Sequence, residues 1–573
     1  MKINILKKDE AEIAIEERIE NEIEYYDIKI RFLSPTIPKP IKLTFYCSEK
    51  NLYSVFSSSA KTERHLKPCW SANKCNSRLA SNMPLLTAIT RDGLNGTTIS
   101  LSDAKIPTEL SFGMMEENGF ARCTVILFSS PISETDSVDL TLRIDNRKIR
   151  YEEAIKNAVE WWETDCGYTP AYVPNEATLP MNSAWYSYHQ NIDVEDIIDE
   201  CNRSKELGME TIIIDDGWQT EDVSLGYAFC GDWEVCDKKI SSMKKFVDRV
   251  HGEGMKFMLW YSVPYVGINS KAFERFKDKL LDYDEKRKWF CLDPRFPDVR
   301  EYLVNIYKTA LTEYGLDGFK LDFIDAFKLT EQSLIHNPKR DTESLEDSID
   351  MLLNEIYTSL TEIKPDVLIE FRQTYVGPTI KKYANMLRVA DCPADPLRNR
   401  FSIADLRLTS NKTAVHSDML LWNENQNVED AAAALVSVLY GVVQVSVKLK
   451  KLPEDHLKML KFYLSFMREH RDTLLFGSFT ADNPESLYSR ISASNSGKII
   501  TTLYDRLYEK IPESFESFIL VNGTASNDII LETENQASGK IVNCLGQTVQ
   551  TITLKEGLNK VFIPTCGMIM LYH

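Results

Sequence analysis

Three apolar segments of this chain end in acidic side chains. The acids are Asp215 and Asp216, Asp322, and Asp391. Each apolar run has the length and composition of a strand, and the carboxyl ends of the strands of a parallel barrel meet at one rim. One carboxylate can attack an electrophilic carbon while a second carboxyl gives a proton to the leaving oxygen. Acids gathered at one rim therefore predict a catalytic site there.

Asp322 is the candidate nucleophile because Lys320 lies two residues before it. Residues two apart in a strand share a face, so Lys320 is expected to keep Asp322 ionised and to offer donors to sugar hydroxyls. The plainer alternative is a surface ion pair worth roughly 0 to 1 kcal/mol, which we would favour for this motif in isolation. Three strands of the same predicted barrel end in acids, and this repetition favours a catalytic site over a surface ion pair.

Asp391 is the candidate acid/base. Cleavage of a glycosidic bond with retention needs a nucleophilic carboxylate and a proton donor about 5 to 5.5 Å apart. The fourth and sixth predicted strands end in Asp322 and Asp391 and are suited to hold such a pair. The apolar neighbours Val389, Ala390 and Cys392 are expected to raise the pKa of Asp391 towards the range of a proton donor.

The remaining candidates would bind substrate. Asp215 and Asp216 suit a clamp for vicinal or axial hydroxyls, since carboxylates accept from several donors at once. Trp218 and Trp260 would offer flat surface to the C–H face of a pyranose. Trp185 is a further candidate for such a surface, and the wall candidates are Arg372, Asp395 and Arg398. The alternatives stay open, because Asp-Asp-Gly-Trp also suits a turn and a helix start and tryptophan is more often core.

Other polar residues near these strands receive structural roles or none. Asp325 and Asp405 are expected to cap helices, and His416 with Asp418 to brace the seventh strand. The sequence assigns no role to Tyr188, His189 and Glu370.

The elements that must position these residues alternate in type. Strand-like runs are predicted at 183–187, 211–216, 256–262, 318–322, 367–372, 385–391, 414–419 and 442–447. Helical stretches are predicted at 193–207, 238–253, 297–314, 344–363 and 429–439. Eight strand-and-helix units close a (β/α)8 TIM-type barrel, which we place at residues 161–475.

Short β-rich runs separated by turn residues precede and follow this barrel. Residues 1–160 predict an N-terminal antiparallel β-sandwich with a linker helix at 151–162. Residues 476–573 predict a small C-terminal antiparallel β-domain. The fold class is therefore multidomain α/β.

Composition excludes several classes of function. The 573 residues carry a net charge of -18, which argues against a nucleic-acid or anionic-membrane partner. Neither an export signal nor a membrane span is recognisable, so a cytoplasmic location is expected. The 12 cysteines and eight histidines lack metal-ligand spacings, and neither metal nor cofactor is expected. A small neutral oligosaccharide or glycoside is the expected partner, with a homo-oligomer left open.

Three of these segments resemble motifs of glycoside hydrolase family 36, the clan D α-galactosidases and raffinose synthase-like proteins. Residues 212–219 read Ile-Ile-Ile-Asp-Asp-Gly-Trp-Gln, 320–322 read Lys-Leu-Asp and 388–391 read Arg-Val-Ala-Asp. The resemblance covers most of the chain. It implies a covalent glycosyl intermediate on Asp322, a proton donor at Asp391, and galactose O4 and O6 held by Asp215 and Asp216.

The chain also departs from that family. Ile324 stands where many members carry asparagine, and 370–375, Glu-Phe-Arg-Gln-Thr-Tyr, replaces a Cys-Ser-Gly-Gly stretch near the sugar 2-hydroxyl. The leading hypothesis is a retaining α-galactosidase. The alternatives are a galactosyl transglycosylase, motivated by Gln219, an α-glycosidase with altered sugar specificity, and a non-catalytic carbohydrate-binding protein.

Overall fold

The computed structural model describes residues 3–7, 11–47, 49, 51–59, 61–284 and 286–572. In chain order, a closed parallel barrel follows an N-terminal pair of sheets and precedes a C-terminal pair of sheets. No helix in these ranges is long and apolar enough to cross a membrane.

The barrel has eight strands, here labelled β1 to β8 in chain order. They are Met181–Ser183, Thr211–Ile214, Lys256–Ser262, Gly318–Asp322, Leu368–Arg372, Met386–Arg388, Ala414–Leu420 and Val442–Val445. Neighbouring strands are parallel, and β1 pairs with β8 to close the barrel. The predicted eight-stranded barrel is confirmed.

The prediction of the first barrel strand is wrong over most of its length. The sequence predicts a strand at 183–187, whereas β1 ends at Ser183 and Trp185–Tyr188 forms one helical turn. Aromatic residues are enriched in strands, which explains the error.

Helices lie between successive strands of the barrel along the chain and also follow its last strand. They are Val194–Glu206, Met243–Gly252, Lys271–Phe276, Pro297–Thr309, Leu345–Ile363, Pro378–Lys381, Pro396–Ser410, Val428–Ser437, Glu454–Glu469 and Arg471–Leu474. Six begin at an N-cap side chain that accepts a backbone N–H: Asp193, Ser242, Ser270, Ser344, Asp395 and Asn427. Asp405, expected to be a cap, lies inside Pro396–Ser410 instead, so that expectation is wrong.

The N-terminal sandwich consists of two antiparallel sheets. The first has the order Asn4–Leu6, Ile41–Cys47, Ala121–Leu127, Thr108–Met114 and Asn73–Ser77. The second has the order Ala11–Glu20, Ile23–Thr36, Thr135–Asp145, Asn95–Leu101, Leu85–Thr90 and Leu52–Ser57. Helix Tyr151–Thr164 then leads into the barrel.

The C-terminal region contains a seven-stranded and a three-stranded sheet. The larger has the order Ser478–Asp482, Arg490–Asn495, Lys498–Leu503, Ser517–Asn522, Met568–Tyr572, Ala537–Val542 and Thr548–Leu554. The smaller comprises Tyr508–Lys510, Asp528–Thr533 and Gly557–Phe562. Pairing is mostly antiparallel, but two pairs are parallel: Lys498–Leu503 with Ser517–Asn522, and Tyr508–Lys510 with Asp528–Thr533.

The interior of the barrel is apolar at its lower end and polar above. The lower layer is a buried cluster that includes Met181, Ile213, Met258, Leu368, Met386 and Ala414. Inward-facing side chains recur every second residue of a strand. Two residues further along the same strands stand Ser183, Asp215, Trp260, Glu370, Arg388 and His416. The polar groups are therefore confined to the carboxyl end, where a substrate has access.

One buried ion pair joins the three parts of the chain. Arg64 of the sandwich donates two hydrogen bonds, 2.8 and 2.7 Å, to the carboxylate of Asp405 on a barrel helix. Tyr488 of the C-terminal region donates to the same carboxylate at 2.6 Å. All three side chains are buried, so each polar group depends on the other two for hydrogen bonding.

We predict that Arg64→Met destabilises the protein by about 3 to 5 kcal/mol, because it leaves a buried carboxylate without its cation. The double variant Arg64→Met with Asp405→Leu should recover part of this loss. Urea denaturation followed by tryptophan fluorescence measures both. Equal midpoints for wild type and the single variant would contradict the prediction.

Candidate active site

The carboxylate of Asp322, at the end of β4, is hydrogen-bonded unequally at its two oxygens. Oδ1 accepts from the backbone N–H of Phe323, from Arg372 Nε and from the Tyr375 hydroxyl, each at 2.8 Å. Oδ2 accepts from Trp260 Nε1 at 3.1 Å. Four donors therefore fix the orientation of this carboxylate.

Positive charge keeps Asp322 ionised. Burial acts to raise its pKa, but the charges of Arg372 and Lys320 and the hydrogen bond from Trp260 outweigh burial and hold the pKa below its ordinary value. Arg372, expected in the wall, is the cation in direct contact. Lys320 acts from a distance, since its ammonium bonds to Asp215 at 2.6 Å.

The backbone immediately after Asp322 is strained. Phe323 has φ 66° and ψ 23°, the left-handed conformation, which costs a non-glycine residue on the order of 1 to 3 kcal/mol. This conformation accompanies the bond from the Phe323 N–H to Oδ1 of Asp322. Strain of this kind is concentrated at functional sites.

Asp391 follows β6 and lies against a buried arginine. Its Oδ1 accepts from Arg388 Nη2 at 2.9 Å, and its side chain is 57% exposed. Partial burial acts to raise its pKa, but the charges of Arg388, Lys320 and Arg372 lower it. The expected raised pKa is therefore wrong, because a neighbouring guanidinium outweighs the apolar residues that flank Asp391 in the sequence.

Arg388 links three carboxylates. Besides Asp391, it pairs with Asp418 at 2.6 Å and with Glu370 at 3.4 Å. Asp418 in turn accepts from the Tyr186 hydroxyl at 3.0 Å and from the backbone N–H of Cys392 at 2.6 Å. Arg388 has no role of its own among the sequence-based predictions, although its place three residues before Asp391 was a usable signal.

Asp216 is held by two glutamine side chains. Its oxygens accept from Gln190 Nε2 at 2.6 Å and Gln219 Nε2 at 2.7 Å. Each glutamine oxygen accepts a backbone N–H, from Leu225 and Gly217 respectively, which fixes the amide orientation. Burial raises the pKa of Asp216 to about 6.

Trp218 does not face the site. It has no exposed surface, its indole N–H donates to the carbonyl of Trp260 at 2.9 Å, and its ring packs against Trp233 and Tyr261. Gly217 has φ 108° at this turn, and a Cβ there would lie 2.6 Å from the Cα of Gln190. The expectation that Trp218 offers its face to a sugar is wrong: it supports Trp260. The same expectation for Trp260 is also wrong, since this side chain is buried and its indole N–H is bonded to Asp322.

The loops above β2, β3 and β4 supply an aromatic wall that the sequence analysis missed. Tyr227 contacts Phe323 at 5.1 Å, and Tyr265 and Trp289 at 5.5 Å each, between ring centroids. Tyr265 and Trp289 lie on a hairpin of strands Tyr265–Gly267 and Trp289–Cys291. These rings are half-buried and offer apolar surface at the rim.

Asp395 and Arg398 lie apart from this wall. The carboxylate of Asp395 accepts the backbone N–H of Arg398 at 2.9 Å as a helix N-cap, and both residues are exposed. Within the described part of the chain, neither forms a hydrogen bond or ion pair with Asp322 or Asp391. Trp185 is half-buried and packs against exposed His189 at 5.0 Å.

The residues without a clear role are structural or interior. His416 is buried, and burial lowers its pKa to about 4, so it is neutral and donates from Nε2 to the carbonyl of Ala177 at 2.8 Å. Tyr188 is buried with Lys448 over its ring. Glu370 is buried inside the barrel, where it accepts from Gln444.

The N-terminal sandwich supports the loops of the site. Arg78 donates to the backbone carbonyls of Asp325 and Phe327, just beyond β4. The backbone N–H of Asn82 donates to the carbonyl of Thr374 at 2.7 Å. Asp325, expected to cap a helix, lies within a 3-10 turn and accepts from Thr374 at 3.1 Å, so that expectation is wrong.

A family model for melibiase matches residues 178–477, which include the whole barrel. The chain belongs to the melibiase family. The resemblance to glycoside hydrolase family 36 is likewise confirmed.

Two similar relatives are named as α-galactosidases. The chain is 27% identical to α-galactosidase Mel36A of Lactobacillus acidophilus over 24% of this chain and 19% of the relative. It is 22% identical to AgaA of Geobacillus stearothermophilus over 58% of this chain and 47% of the relative. The chain thus matches less than two thirds of each.

A solved structure of an AgaA variant in complex with stachyose resembles the whole molecule. It covers 98% of this chain and 81% of the other, with TM-score 0.66 and 14% identity. At this identity the likeness shows the fold alone.

We predict that Asp216 makes the stability of this protein depend on pH. Its pKa rises from 3.8 to about 6 on folding, so between these values the folded state binds a proton that the unfolded state does not. Lowering the pH from about 7.5 to about 4 should therefore favour wild type over Asp216→Ala by up to roughly 3 kcal/mol in the free energy of unfolding. Urea denaturation of both proteins at both pH values measures this, and a pH-independent difference would contradict it.

Proposed function

We propose that the protein is a retaining α-galactosidase that hydrolyses terminal α-galactosides of small neutral oligosaccharides or glycosides. The observation that carries this proposal is Asp322, a buried and ionised carboxylate held by four donors at the end of a barrel strand. A second carboxylate, Asp391, lies close enough for its pKa to respond to the charge of Asp322. Family membership and relatives named as α-galactosidases support the choice of sugar.

Hydrolysis proceeds in two displacements. In the first, a lone pair of Asp322 forms a bond to the anomeric carbon, the bond to the leaving oxygen breaks, and Asp391 protonates that oxygen. In the second, Asp391 takes a proton from water, the water oxygen bonds to the anomeric carbon, and the bond to Asp322 breaks. The lowered pKa of Asp391 suits the second step directly. A bound glycoside that covers its exposed face removes water and raises this pKa for the first step.

Substrate binding falls to the groups around these two acids. Asp215 and Asp216 accept sugar hydroxyls, and the bond from the Lys320 ammonium fixes the orientation of the Asp215 carboxylate. The partly exposed Arg372 offers guanidinium N–H groups beside the nucleophile. The half-buried ring of Phe323 offers apolar surface to the sugar. No metal is needed for these steps.

A second candidate is transfer of the galactosyl group to an acceptor sugar. The aromatic wall around Tyr227 favours it, since an acceptor competes with water only if it binds. Gln219, the residue that motivated the transfer hypothesis in the sequence, donates a hydrogen bond to Asp216. Product analysis with added acceptor sugars separates the two activities: hydrolysis products alone would exclude transfer.

The test of the proposed function is hydrolysis of 4-nitrophenyl α-glycosides of galactose, N-acetylgalactosamine and glucose, with the β-L-arabinopyranoside. Wild type should release nitrophenol from the galactoside, and Asp322→Ala should abolish this because no nucleophile remains. The matched control is Asp366→Ala, an exposed carboxylate at the opposite end of the barrel, which should retain activity. Activity on one of the other glycosides, without activity on the galactoside, would show that the enzyme is specific for a different sugar. Calorimetric sugar binding without turnover would indicate a carbohydrate-binding protein.

We predict that Asp391→Ala distinguishes leaving groups. Hydrolysis of raffinose should fall about 100-fold or more, because its leaving oxygen needs a proton. Formation of the glycosyl-enzyme from 4-nitrophenyl α-galactoside should fall far less, since nitrophenolate leaves without one. Comparison of kcat/KM for the two substrates measures the contrast. An equal loss of kcat/KM on the two substrates would mean that a residue other than Asp391 is the proton donor.

A further inference from the structure

The two oxygens of Asp322 differ in how many lone pairs they have left. Oδ1 accepts three hydrogen bonds, from Phe323, Arg372 and Tyr375, which saturate an oxygen of this kind. Among the described residues, Oδ2 accepts one hydrogen bond, from Trp260, at a longer distance of 3.1 Å. Oδ2 therefore keeps a free lone pair with which to attack a carbon.

We infer that Oδ2 is the attacking oxygen and that Tyr375 is a positioning residue that stabilises the negative charge on Oδ1. This inference rests on the proposed glycosidase function. Tyr375 is buried with its ring against Phe371, so its hydroxyl has little freedom beyond the bond to Oδ1. Burial and the charge of Asp322 raise the pKa of Tyr375, which therefore remains a donor.

The hydrogen bond from Tyr375 affects the two displacements in opposite ways. When the bond between Oδ2 and the anomeric carbon forms, Oδ1 loses negative charge and becomes a carbonyl oxygen. When that bond breaks, the electron pair returns to the carboxylate and Oδ1 regains charge. A donor on Oδ1 therefore speeds breakdown of the glycosyl-enzyme relative to its formation.

Tyr375→Phe tests the inference with 4-nitrophenyl α-galactoside, whose good leaving group should make the first displacement fast and leave breakdown of the intermediate as the slow step. Loss of one bond to a charged group should lower kcat roughly 10- to 100-fold. KM should fall in parallel because the intermediate accumulates, so that kcat/KM changes about threefold or less. A burst of nitrophenol equal to the enzyme concentration should precede the steady state.

The matched control is Tyr440→Phe. Tyr440 is also a buried tyrosine, and its hydroxyl donates to the carbonyl of Ile491 at 2.8 Å, away from the site. This variant should leave kcat and KM unchanged. A rise in KM with unchanged kcat in Tyr375→Phe would make Tyr375 a substrate contact and overturn the inference, as would unchanged kinetics.

The crystal structure of a trapped fluoroglycosyl-enzyme gives a second test. The ester oxygen should be the one beside Trp260, with Arg372 and Tyr375 still bonded to the other oxygen. An ester formed through the oxygen beside Tyr375 would overturn the inference while leaving the proposed function intact. If the wild-type protein hydrolyses no glycoside, the proposed function is wrong, and the inference, which rests on it, is wrong as well.

Discussion

Charge compensation inside the upper half of the barrel is the constraint on which the site depends. Lys320, Arg372 and Arg388 are the cations, and they pair with the carboxylates of Asp215, Asp322, Glu370, Asp391 and Asp418. Carboxylates at this depth would otherwise take up protons, because burial penalises the charged form. For Asp322 and Asp391, the charges of these cations outweigh burial and hold the pKa of each carboxyl below its ordinary value.

The same arrangement separates the two candidate catalytic acids by environment. Asp322 is buried and bound by donors from three strands and their loops, which suits a nucleophile that must not move. Asp391 is more than half exposed and bound by Arg388 alone among the described side chains, which leaves it free to exchange protons. The hydrogen bonds of the N-terminal sandwich to the loop beyond β4, through Arg78, extend this support outside the barrel.

The acidic residues at the strand ends could be located from the sequence because the pattern that marks them is local. A strand ending in an acid can be recognised from a few residues, and β4 was predicted with both its bounds at Gly318–Asp322. The lowered pKa of Asp391 could not be predicted in the same way. The apolar residues next to Asp391 can be read from the sequence. The hydrogen bond from Arg388 to Asp391 cannot, because it depends on how the backbone runs between these two residues.

The sequence by itself thus determined the barrel, its flanking β-domains and the strand ends that carry Asp215, Asp322 and Asp391, since alternation and periodicity act over short stretches. Only the tertiary structure decided which cation meets which acid. Tyr375 reaches Asp322 across 53 residues of chain, and such contacts follow from the neighbour order of strands and from side-chain direction. Both are set by packing of the whole barrel and leave no periodic trace in the sequence.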